Sequence, residues 1–161
     1  QQSGWAWIRF GLPSAKDTGI AVVLVPVVML VSYGWSMLMQ GFGGEVEPQI
    51  FAQGILDLND QRVLVFSLLY TVLGASFLEE LLFRGYMLPI MVRALGKGRG
   101  MVLNAVLFGL VRGSDPWAVV PTMVIGFAAC WLREKTGSLT APVLFHAVNN
   151  LCAMALMWAG Y

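Results

Sequence analysis

The sequence predicts an all-α, polytopic transmembrane bundle of about five spanning helices, and three observations predict it. Hydrophobic residues make up 58% of the chain and charged residues 12%, against about 45–50% and 25% in a soluble domain. The mean hydropathy is +0.72. The apolar residues are gathered into long runs without the strict alternation of a membrane barrel, and in lipid a chain that does not close into a barrel satisfies its backbone only as helices. The 161 residues are read as a single transmembrane domain, residues 1–161.

A hydrocarbon core of about 30 Å takes about 20 apolar residues of helix. The first run, Gly19 to about Met39, meets this without one charge. The next stretch, Gly41 to Gln61, is a loop, rich in glycine at Gly41, Gly43 and Gly44 and acidic at Glu45, Glu47, Asp57 and Asp60. Within it, Pro48 to Leu58 is read as a short interfacial helix. The second run, Val63 to about Val92, exceeds a simple span and contains Glu79, Glu80 and Arg84. The third, Met101 to Val111, ends at Arg112, and the fourth, Trp117 to Leu132, carries Pro121 near its start. Both are short and are expected to tilt or to be sheltered by neighbours. The fifth, Leu139 to about Ala159, has Pro142 just inside its start, with Ser138 and Thr140 as capping candidates, where helices accept proline.

The basic residues set an orientation. With the N-terminus in the cytoplasm, Arg9 and Lys16, then Arg93, Lys97 and Arg99, then Arg133 and Lys135 all lie inside. The acidic loop lies outside with Arg62, so five spans satisfy the positive-inside rule at every inner segment and put the C-terminus outside. The formal net charge of +1 and the lack of a basic face speak against a nucleic-acid partner. Cys130 and Cys152 lie inside apolar runs and read as small core residues. The chain begins at Gln1, which points to a segment of a longer protein, and no cleavable signal peptide is visible.

Charges inside a membrane span cost about 2.5–3.5 kcal/mol each on insertion scales and mark functional sites by default. Glu80 and Arg84 are four apart and share a helix face, so they can pair. Glu79 points about 100° away and is free to face a cavity. The bland alternative is an ion pair that only fixes helix packing. The single histidine, His146, is four residues from Asn150 on one face of the fifth run. Both can donate hydrogen bonds, as an oxyanion hole requires, although a lone histidine in a helix is commonly a satisfied core residue. Asn149 points elsewhere, toward a packing contact. At about 1.5 Å per residue, Glu80, His146, Asn150 and Arg112 all come out roughly 12–18 Å from the cytoplasmic ends of their helices, so three helices can build one site.

The segment Glu79-Glu80-Leu81-Leu82-Phe83-Arg84 resembles the Glu-Glu-x-x-x-Arg motif of the CAAX-protease and bacteriocin-processing (Abi-type) family, intramembrane endopeptidases related to the Rce1-type enzymes that trim prenylated proteins. Phe108-Gly109-Leu110-Val111-Arg112 sits where the family has Phe-x-x-x-His, and His146 and Asn150 match His-x-x-x-Asn. The resemblance covers roughly residues 63–156. It implies that Glu79 activates a water for attack on a peptide carbonyl, that the second-motif histidine assists, that His146 and Asn150 stabilise the oxyanion, and that Arg84 holds Glu80. It also implies a hydrophobic or prenylated peptide or protein substrate. A carboxylate out of bulk water suits the role of general base.

The sequence departs from the family at one position, where Arg112 replaces the second histidine. An arginine is neither a general base nor a metal ligand, and a guanidinium resting on Glu79 would weaken it as a base. No metal or other cofactor is expected: one histidine and two glutamates fall short of the two histidines common in catalytic zinc sites. The expected function is therefore a CAAX-type intramembrane endopeptidase, impaired at Arg112, in the inner membrane of a bacterium. The alternative is a catalytically inactive relative that binds a hydrophobic partner as an immunity or scaffold protein. A small transporter or proton relay is a third reading, against which stands the lack of inverted repeats.

Overall fold

A computed structural model describes residues 9–42, 60–111 and 116–159. Five helices account for nearly all of them: α1 (Ala15–Gly41), α2 (Gln61–Leu95), α3 (Lys97–Leu110), α4 (Pro116–Thr136) and α5 (Thr140–Trp158). This is the helical bundle expected from the sequence, with each run present and its ends within a few residues of those expected. Arg112 and the proposed interfacial helix at Pro48 to Leu58 lie outside the described residues.

Three helices, α1, α2 and α5, are long and apolar enough to cross a membrane unaided. The 14 residues of α3 span only about 21 Å, and α3 lies mainly against α4 and α2. The expected shelter for the short runs is thus supplied by the bundle. The α1 face formed by Ala21, Val25 and Val28 is buried against Ala129, Leu132 and Phe145, whereas Val23, Val27, Leu30 and Val31 on other faces stay exposed. That division is an inward apolar stripe with an equally apolar outward surface, as a lipid-facing helix requires.

The ends of the helices have local causes. Ser14 caps α1 by accepting from the Asp17 amide, and Asp60 caps α2 by accepting from the Arg62 amide. Gly96 (φ 82°) and Gly137 (φ 66°) turn the chain between α2 and α3 and between α4 and α5, conformations that favour glycine. Ser138 takes the first α5 amide, its Oγ accepting from Thr140 N at 3.2 Å. The same hydroxyl donates to Gly11 O at 2.6 Å, which ties the segment before α1 to the α4–α5 turn. Pro121 and Pro26 lie inside α4 and α1. Cys130 and Cys152 are free thiols.

Small residues let the backbones of α2, α3 and α4 approach, the usual packing device between helices in a membrane. A Cβ at Gly100 would lie 2.7–2.8 Å from backbone atoms of Met91 and Val92, and one at Gly126 would lie 3.2 Å from Ala105 Cα. Backbone atoms cannot rotate aside. Gly100→Ala is therefore expected to cost about 1–3 kcal/mol as overpacking, read as a lower melting temperature in detergent. Gly98→Ala, with nothing within 4 Å of its Cβ, is expected to stay within about 0.5 kcal/mol of the parent.

Candidate active site

The site is carried by α2, whose winding is not uniform. A regular five-residue segment, Ser76–Glu80, lies between two wider π-helical turns, Tyr70–Ala75 and Leu81–Met87. Such turns are rare and occur often at functional sites. Both glutamates sit in the regular segment, and Arg84 sits in the turn that follows.

Glu80 and Arg84 are completely buried and pair through Glu80 Oε1 and Arg84 Nη1 at 2.9 Å. Arg84 Nη2 donates to the carbonyl of Gly126 on α4 at 2.9 Å. Its guanidinium carbon stands 4.2 Å from the centroid of the Phe108 ring, a cation–π contact strengthened by the lack of water. Phe108 in turn meets Phe83 edge-on at 4.9 Å and His146 edge-on at 5.7 Å. The phenylalanine of the second motif is thus a wall shared by the arginine and the histidine.

His146 Nδ1 lies 2.9 Å from the same Glu80 Oε1. A carboxylate paired with arginine only accepts, so Nδ1 carries a hydrogen and donates it. The orientation of the ring follows: Nε2 faces Glu79, 3.9 Å from its Oε2. Glu79 differs from its neighbour in its surroundings, with 31% of its side chain exposed against none for Glu80. One imidazole therefore spans two adjacent glutamates, one buried and committed, the other open to the surroundings.

Asn150 lies one turn beyond His146 and does not join this cluster. Its Nδ2 donates to Thr71 O at 3.1 Å and to Ser76 Oγ at 3.0 Å. Ser76, fully buried, donates its own hydroxyl to Thr71 O at 3.3 Å. Asn149 is buried. Two further contributors escaped sequence reasoning. The Gly126 carbonyl has no sequence signal, since any residue supplies one. Asn104, an uncharged polar residue in an apolar run, was visible but carried no motif.

Among the described residues no three His, Cys, Asp or Glu side chains gather closely enough to hold a metal ion.

The stretch 61–152, which runs from the first residue of α2 through most of α5, matches the family model Type II CAAX prenyl endopeptidase Rce1-like. The chain belongs to that family. No curated protein and no solved structure matches it. The matched stretch of this Rce1-like chain includes every side chain of the cluster around His146.

The pair at the centre is costly to break. Glu80→Ala is expected to lose about 3–5 kcal/mol, because it leaves the Arg84 charge buried and uncompensated. Glu80→Leu combined with Arg84→Met is expected to recover a large part of that loss, since no buried charge remains. Thermal unfolding of the two proteins in the same detergent checks the sign.

Proposed function

We propose that the chain is a CAAX-type intramembrane endopeptidase in which Glu79 and His146 flank the reacting atoms. The observation that carries this reading is the 3.9 Å gap between Glu79 Oε2 and His146 Nε2. It is too long for a direct hydrogen bond, and a single oxygen atom between them would sit about 2.8 Å from each. A water there donates to Glu79 and attacks the peptide carbonyl carbon. Glu79 takes the proton as the carbon–oxygen bond forms and returns it to the amide nitrogen as the carbon–nitrogen bond breaks. His146, its Nδ1–H held by Glu80, presents the lone pair of Nε2 to the other hydrogen of that water and so orients it for attack. Arg84 holds Glu80 in place.

The mechanism needs no metal. Glu80 is committed to Arg84 and His146, which leaves Glu79 and one imidazole nitrogen, fewer than the three protein ligands of a catalytic zinc. The substrate class proposed is a hydrophobic or prenylated peptide, a reading supported by the family's description as a CAAX prenyl endopeptidase. The distribution of basic residues supports a cytoplasmic N-terminus and an external C-terminus, and a compact chain of this kind fits a bacterial inner membrane.

Arg112, standing where the family has its second histidine, supports a second reading, a catalytically inactive relative that binds a hydrophobic partner. Cleavage of prenylated and membrane-anchored peptides by the purified protein separates the two. On the first reading the parent cleaves and Glu79→Ala falls at least about 10³-fold without a change in melting temperature, in line with the loss of a general base. Activity that appears only in Arg112→His would show a complete scaffold silenced at one position. Inactivity of both, with retained peptide binding in Glu79→Ala, would favour the binding protein.

A further inference from the structure

We propose that Asn104 and Asn150 are positioning residues that hold the two π-helical turns of α2 and through them aim both glutamates at His146. The proposal deepens the reading above, because the site it concerns is the one assigned to water activation, but its test does not depend on turnover.

The two turns frame the segment that carries Glu79 and Glu80. Each wide turn takes in an extra residue, and one residue of regular helix is about 100° of rotation. If either turn tightened to regular helix, the glutamates would swing by that amount relative to the rest of α2. π-Helical residues make up well under 1% of ordinary structure, so two such turns in one helix call for something outside the helix to retain them.

Each turn has one carbonyl taken by a buried or half-buried asparagine from another helix. In the first turn, Thr71 O accepts from Asn150 Nδ2 of α5 at 3.1 Å and from Ser76 Oγ at 3.3 Å. In the second, Phe83 O accepts the Leu88 amide five residues on and also Asn104 Nδ2 of α3 at 3.0 Å. A carbonyl oxygen has two lone pairs and takes both donors.

The amide orientations are fixed by their partners. Thr71 O and Phe83 O only accept, so each must face an NH2 group. Asn104 is oriented a second time from behind, where the Cys130 thiol lies 3.1 Å from its Oδ1, and its Nδ2 also faces Met91 Sδ at 3.7 Å. Asn150 spends both amide hydrogens on Thr71 O and Ser76 Oγ. It has no N–H left for an oxyanion, and Oδ1 cannot donate. Asn150 therefore acts on the reaction through α2, in place of the direct oxyanion role that the motif resemblance implies.

The test uses the single histidine of the chain. With 15N-labelled histidine, every imidazole signal belongs to His146, and the Nδ1-bound proton reports its bond to Glu80 directly. The full chain is measured in detergent as the parent, as Asn104→Leu, as Asn150→Leu and as Val25→Ala. The last removes core volume on α1 and controls for lost stability. The proposal expects the Nδ1–H signal of the parent to shift or disappear in both asparagine variants and to stay in place in Val25→Ala. Asn150→Leu, at a half-buried position, carries the test alone if Asn104→Leu does not fold. An unmoved signal in the asparagine variants, with melting lowered as in Val25→Ala, would overturn it and make both residues packing contacts. Loss of cleavage in Asn150→Leu with an unmoved signal would overturn it in favour of an oxyanion donor. A parent that cleaves nothing sinks the protease reading alone, since the spectra still decide this one.

Discussion

Taking a carboxylate and a guanidinium out of water costs several kcal/mol for each ion, and at Glu80 and Arg84 both are removed completely. Much of the surrounding architecture answers that cost. The arginine is satisfied by a carboxylate on its own helix, a carbonyl on α4 and a ring on α3, so three helices must hold their spacing for the charge to stay buried. That explains why the α3–α4 contact is the most extensive in the bundle and why glycines stand where it is closest. A Cβ on Gly126 would lie 3.2 Å from Arg84 Nη2 as well as from Ala105 Cα. Even so, Glu80 Oε2 and Arg84 Nε remain buried without a hydrogen-bond partner among the described residues. A pair left partly unsatisfied is a poor device for stability alone. Its use lies in orientation: it fixes the oxygen to which His146 donates.

From that point the two glutamates divide. They are chemically identical neighbours, and their directions differ by about 100° on a helix. Glu80 turns inward to the arginine, while Glu79 turns to the open side of the imidazole. The two ring nitrogens of His146 point to different sides, which lets one ring meet both carboxylates at 2.9 and 3.9 Å. The buried carboxylate sets the ring, and the part-exposed one is the proposed site of chemistry. Two identical groups acquire different roles from environment alone, a recurring arrangement where one acid or base must be held and another must act.

The sequence was informative wherever function depends on residue type and spacing. Charges in apolar runs exposed Glu79, Glu80 and Arg84, because their cost in a membrane makes them stand out. The i,i+4 spacing brought Glu80 to Arg84, and helix rise alone put His146 at the same depth as Glu80. The runs gave the five helices within a few residues. Hidden from the sequence were contacts made by backbone atoms. The carbonyls of Gly126, Thr71 and Phe83 carry no side-chain signature, yet each receives a side-chain donor from another helix. The π-helical turns were hidden for the same reason, since no residue type demands one. Depth counting assumed uniform helices, and it is at the wide turn near Thr71 that Asn150 parts from the cluster it was expected to join. Arg112 lies outside the described residues, so only its identity enters the argument.

That identity bears on how a site with one histidine can work. Where a second histidine would share the proton of the attacking water, an arginine has no lone pair to offer. On the proposed mechanism the whole proton transfer then falls on Glu79, whose basicity depends on the charge around it. Arg84 is spent on Glu80 at 2.9 Å, so its charge is largely neutralised locally. His146 is held by Glu80 rather than by Glu79. The arrangement holds the Arg84 charge directly against the inner carboxylate. A cation resting on Glu79 would weaken it in that role, and more strongly in a water-poor site than in solution. Turnover by the proposed mechanism would rest on the electrostatic balance at one half-buried carboxylate, Glu79.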